Sequence, residues 1–194
     1  MLSGTSEAIM IRIARFFVPL LLLGVSRPGA FADTSVVPPS PKMLDGLTPE
    51  ATLNLANEWG MRSDENKLAI WTSSRAFNFQ FADGSKTVIA MPDNRMAVSI
   101  APYIMKTHPC SGHYPSTCRG ELANTPVHVK AATADGRTLL DEDTTTLPNG
   151  FIDLWLPRDL QVDVSLKARG MQATVRVGTF DKDITCITTP KLHY

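Results

Sequence analysis

The sequence is short of several things at once. Among its 194 residues only 7% are aromatic, three are cysteine and four are histidine. Neither sign of charge is in excess, with 19 Lys and Arg against 19 Asp and Glu. That balance, with no strongly basic stretch, removes the electrostatic footprint that nucleic-acid binding requires. No apolar run approaches the roughly 20 residues of a membrane-spanning helix. Three cysteines are too few for a disulfide-built scaffold, and an odd number cannot all pair within one chain. Also missing are a phosphate-cradling Gly-Lys-Ser/Thr loop, a dinucleotide glycine pattern, a Gly-x-Ser-x-Gly elbow and a His-Glu-x-x-His helix. No ready-made catalytic motif remains.

What is present begins with a leader pattern. Arg12 and Arg15 precede the apolar run Phe16 to Val25, and Ala30-Phe31-Ala32 fits the small-x-small cleavage rule. Residues 1–32 are predicted to be a signal peptide, leaving a chain with 16 basic and 18 acidic residues, net −2. No cysteine lies near the cut, which argues against a lipoprotein anchor. The expected location is the periplasm, where two thiols that can meet tend to pair.

Residues 33–46, with Pro38, Pro39 and Pro41, read as an extended linker. Residues 47–121 read as an N-terminal α+β domain. Thr48, Pro49 and Glu50 open a helix that Gly60 closes, with Ala51, Leu55, Ala56 and Trp59 on one apolar face. A second helical stretch is predicted over Ser63 to Ser73. Phe77, Phe79 and Phe81 then alternate with polar residues before the turn Asp83-Gly84, and a further strand runs from Arg95 to about Met105. Residues 122–194 read as a C-terminal antiparallel β-sandwich, with turns at Asp135-Gly136, Asn149-Gly150 and Arg169-Gly170. The fold class is mostly β, of the α+β kind. Asp141, Glu142 and Asp143 lack the spacing of a calcium loop and read as a solvated loop.

The chemistry concentrates in His108 to Cys118, where Pro109, Gly112 and Pro115 preclude a regular element. Two of the three cysteines and two of the four histidines lie here. Cys186 comes late in the chain, in Thr185-Cys186-Ile187-Thr188-Thr189. Three thiolates and an imidazole would suit a soft ion, Cu(I) or Zn(II). The competing reading of Cys110 and Cys118 is a structural disulfide, and that of Cys186 is a buried core thiol. His113, between the two loop cysteines, is the preferred imidazole. His108 is constrained by Pro109 and reads as a supporting or surface residue. His128 reads as an exposed strand position and His193 as part of the tail. The methionines are scattered, as packing residues are.

His108-Pro-Cys110, His113, Cys118 and the distant Thr-Cys186-Ile-Thr-Thr segment resemble the periplasmic copper-binding CueP family. Asn149-Gly-Phe-Ile-Asp-Leu-Trp-Leu-Pro157 and the strand around Gly170 resemble it too, and the likeness runs from about Leu47 onward. The resemblance implies copper as the cofactor, held by Cys110, Cys118, Cys186 and His113. It implies copper resistance, storage or delivery to a periplasmic cuproenzyme, and a homodimer formed through the N-terminal half. It favours Cys110 and Cys118 as a redox-labile pair that also binds copper. Two other classes remain open: a Cu(II) reductase or thiol oxidoreductase served by a thiol-reducing partner, and a β-sandwich adaptor with a stapled loop. A carrier is not an enzyme, and the lack of Cys-x-x-Cys counts against thioredoxin-like activity.

Overall fold

A computed structural model describes residues 38–62, 64 and 67–194. The expected signal peptide and residues 33–37 of the linker lie outside the described residues. The rest of that linker is not extended throughout. Pro41–Leu44 winds into a 3-10 turn and buries Leu44.

The helix α1 spans Pro49–Gly60. Thr48 caps it, its side-chain oxygen accepting from Ala51 N at 3.2 Å, and Pro49 occupies a first-turn position where no amide is needed. Its buried face is Leu53, Ala56 and Trp59 with Thr52 and Asn57, rotated slightly from the expected one, since Ala51 and Leu55 are only half-buried. Trp59 meets Phe79 and Phe81 edge-on, at 6.1 and 6.2 Å between ring centres.

Ten strands follow. β1 (Ala69–Thr72), β2 (Ala76–Gln80) and β3 (Lys86–Ala90) form an antiparallel sheet in chain order. Over Ala69–Thr72 this corrects the helix expected from Ser63 to Ser73, of which Ser63, Glu65 and Asn66 lie outside the described residues. Leu68 to Trp71 is a short apolar run that fits either element, and pairing of Ile70 with Phe79 settles it as strand. β4 (Arg95–Ile100) ends earlier than expected and is the centre of a second sheet, between β7 (Ile152–Pro157) and β10 (Cys186–Ile187). β4 and β7 are antiparallel, while β10 runs parallel to β4. The third sheet has the order β6-β5-β8-β9, from β5 (Pro126–Thr133), β6 (Thr138–Thr145), β8 (Gln161–Ala168) and β9 (Met171–Gly178).

The fold is mostly β with antiparallel pairing dominant, as the periodicity indicates. Residues from before and after position 122 nevertheless share the β10-β4-β7 sheet. They also share one apolar core, in which Phe77, Phe79 and Met96 are clustered with Val129, Leu154 and Leu166. Asp141, Glu142 and Asp143 belong to β6 rather than to a loop. There Asp141 and Asp143 flank His128 of β5 at 3.1 and 2.9 Å. No helix among the described residues is long and apolar enough to cross a membrane.

Candidate metal centre

The loop 108–118 hangs between elements that come from every part of the chain. Thr107 Oγ1 donates to Thr188 O at 2.6 Å, and Thr188 Oγ1 donates to His108 O at 2.7 Å. This reciprocal pair fixes the start of the loop beside β10. Its middle is fixed by His113, whose amide donates to Thr185 Oγ1 at 3.0 Å while its carbonyl accepts from Thr72 N at 2.7 Å. Ser116 Oγ bonds both the amide and the carbonyl of Ile70 in β1.

Arg119 closes the loop. Its guanidinium donates to the carbonyls of Pro115, Cys118 and Gly60, which joins the loop to the end of α1. Gly60 leaves no room for a Cβ against Pro115. Glu121 accepts from the amides of Ile104, Met105 and Lys106 at 2.7 to 3.1 Å, drawing both flanks of the loop together. Burial acts to raise the Glu121 pKa, but the three amides together with the Arg169 charge outweigh it and hold the carboxyl below its usual range.

These restraints bring His108, Cys110, Cys118 and Cys186 together, with one ligand atom of each within 4.8 Å of all the others. The three cysteines that the sequence singled out do converge. The imidazole among them is His108, not His113. The His108 ring, expected behind the ligands or on the surface, has a buried Nε2 with no hydrogen-bond partner. His113 is fully buried and lies against Phe151, 4.6 Å between ring centres. Neither of its ring nitrogens has a partner, and burial first, then the neighbouring His108 and Arg119, pushes its pKa down to about 3. It is a neutral imidazole at physiological pH.

The cysteines are paired as Cys110–Cys186 across 76 residues, and Cys118 is the free, buried thiol. The expected alternative, a bridge from Cys110 to Cys118, is not the one formed. Strand pairing explains the choice: β10 lies parallel on β4, opposite Ser99, and carries Cys186 to the loop. Cys118 Sγ remains 3.5 Å from Cys110 Sγ, and burial pushes its pKa up. Phe151 and Ala101 pack with Cys118 and Cys186 as a small apolar cluster, with Cys110 at its margin. This apolar wall lines one side of the sulfur cluster, and it was not singled out in the sequence beyond the run that contains Phe151.

Asn57, Asn149, Asp153 and Ser99 form a polar chain behind the site. Asn149 donates to Asn57 Oδ1 at 3.1 Å, and Asn57 and Ser99 donate to opposite oxygens of Asp153 at 2.6 and 2.5 Å. Burial raises the Asp153 pKa against these two donors. Ser99 is also the β4 partner of Cys186, so the chain ties α1 to the strand that positions a sulfur. Glycine contact supports the other side. Gly120 and Gly150 touch backbone to backbone, and a Cβ on either would come within 2.5 Å of the other's carbonyl oxygen.

Sulfur and imidazole donors gathered in a small apolar-walled site on a mostly β scaffold define a soft-metal protein. A family model described as periplasmic copper-binding protein CueP matches residues 58–191. The chain belongs to that family. A crystal structure described as that of S.CueP is similar, with a TM-score of 0.71 and 26% identity, covering 78% of this chain and 92% of the other. Comparison with curated proteins gives no match.

Proposed function

We propose that this protein binds copper as Cu(I), its cargo, through Cys110, Cys118, Cys186 and the His108 imidazole. The observation that carries this is the approach of four ligand atoms to within 4.8 Å of one another. A disulfide sulfur is a poor ligand, so the site takes the metal when Cys110–Cys186 is reduced and three thiolates are available. The soft donor set favours Cu(I), with Zn(II) as the rival ion. We place the protein in the periplasm, in resistance, storage or delivery to a cuproenzyme, as a carrier rather than an enzyme. Dimerisation through the N-terminal half belongs to the same reading.

A second reading draws on the bridge itself. Forming Cys110–Cys186 from two thiols releases two electrons and two protons, enough to reduce two Cu(II) to Cu(I). A thiol-reducing protein would then have to restore the dithiol.

The decisive experiment is copper titration of the reduced protein against a Cu(I) chelator, alongside melting curves. Copper at 100 times its dissociation constant should stabilise the wild type by about 2.7 kcal/mol. Cys186→Ser and His108→Ala should bind more weakly, and His193→Ala should match wild type. His113→Ala distinguishes the two imidazoles directly: retained affinity supports His108 as the ligand, and a loss equal to that of His108→Ala gives His113 a share. Equal affinity in Cys186→Ser and wild type would overturn the three-thiol site.

A further inference from the structure

The bridge and the free thiol lie in contact, and that contact does not depend on a metal. Cys118 Sγ is 3.5 Å from Cys110 Sγ, a sulfur already bonded to Cys186. The two outer cysteines are anchored. Cys118 and Thr117 both donate their amides to Tyr114 O, at 2.7 and 2.9 Å, and Cys186 sits in the strand β10. Cys110 stands between them in the loop, outside any strand, and is the one half-exposed sulfur of the three.

We infer that Cys118 is an internal nucleophile that moves the bridge. Its sulfur attacks Cys110 Sγ, so that a Cys118–Cys110 bond forms as the Cys110–Cys186 bond breaks. The proton lost by Cys118 ends on Cys186. No electrons are gained or lost, and no external oxidant or reductant takes part. Two disulfide isomers therefore share one redox state and one common sulfur, Cys110. Each leaves a single buried thiol, Cys118 in one and Cys186 in the other. This goes beyond copper binding, because the exchange belongs to the oxidised, metal-free chain.

The two isomers are separable by cleavage after lysine and arginine. Thr107–Arg119 then contains both loop cysteines and Asp183–Lys191 contains Cys186. Oxidised, metal-free wild type is held at neutral pH, quenched in acid, alkylated in acidic denaturant and digested. The resting isomer yields the two peptides cross-linked, with Cys118 alkylated. The exchanged isomer yields Thr107–Arg119 bridged within itself and Asp183–Lys191 alkylated.

The exchanged form is expected at or above about 0.1% of the molecules, the range of a populated minor state. A smaller fraction would overturn the inference. A second arm uses Cys186→Ser under the same oxidation. It should close the Cys110–Cys118 bridge, and two free thiols in this variant would equally overturn the inference. The wild-type arm stands even if the variant folds poorly. Copper titration of the fully reduced protein is indifferent to either result, so the metal site and the exchange fail separately.

Discussion

In the sheet β6-β5-β8-β9, two of the three strand pairs are joined by short turns, at Asp135-Gly136 and Arg169-Gly170. In the sheet β10-β4-β7, no two neighbours are close in sequence: residues 95–100, 152–157 and 186–187 meet only when the whole chain folds. The first sheet displays exposed ion pairs such as Arg176 with Asp163. The second carries Cys186, faces Phe151 and anchors the loop that brings His108, Cys110 and Cys118. Local pairing builds two of its three strand contacts from adjacent segments. Distant pairing gathers ligands that no local segment could hold together.

The sharpest way to break that comparison is a single methyl group. Gly150→Ala should cost roughly 3–4 kcal/mol, because a positive φ and a backbone collision with Gly120 coincide there. Gly136→Ala, in the open hairpin turn of the four-stranded sheet, meets nothing and should cost roughly 1–2 kcal/mol for its positive φ alone. Denaturant midpoints of the two variants measure the contrast. Equal losses would mean that the second sheet is no more demanding than the first.

Acid supplies the next contrast. The unfolded imidazole of His113 takes up a proton below about pH 6.5, whereas the folded one does so only near 3. Between these values protons favour the unfolded chain, so this part of the stability is intact above pH 6.5 and lost as the pH falls towards 3. The loss at pH 4 should be about 3 kcal/mol. His113→Phe, which keeps the volume beside Phe151, should flatten the pH dependence of the melting temperature by a corresponding amount. An unchanged slope would show that the ring is not buried as described.

Asn57→Ala tests the link from α1 to the strand that carries Cys186. It leaves Asp153 and Asn149 each short of a partner and should cost roughly 1–3 kcal/mol. Copper affinity in the reduced state should fall with it if the network positions Ser99 and hence Cys186. Smallest of all should be Arg176→Ala in the four-stranded sheet, where the ion pair is solvent-exposed. No measurable shift in melting temperature is expected.

The same division explains what could be read from the sequence. α1 was legible because Thr48 and Pro49 act locally, and the Phe77-Phe79-Phe81 alternation because its period is carried by adjacent residues. Ala69–Thr72 was misread as helix because its strand character comes from pairing with Phe77–Gln80. β10 is two residues long, too short to carry any period. The three cysteines were found by their scarcity. Which of His108 and His113 lies beside the sulfurs was not legible, because both are near the loop cysteines in sequence. That placement is set by Thr188, which holds the backbone of His108, and Thr185, which holds that of His113, 80 and 72 residues away.

The span of the Cys110–Cys186 bridge also sets an order in time. Synthesis releases Cys110 with Cys118 close behind, and Cys186 only 76 residues after Cys110. Until the later strands have emerged, any oxidation of the growing chain has only the two loop thiols to join. Closing Cys110–Cys186 instead requires β10 to dock on β4 and bring Cys186 to the loop. The third sulfur of the cluster likewise arrives only when the chain is nearly finished, so the cluster and the scaffold around it are completed together.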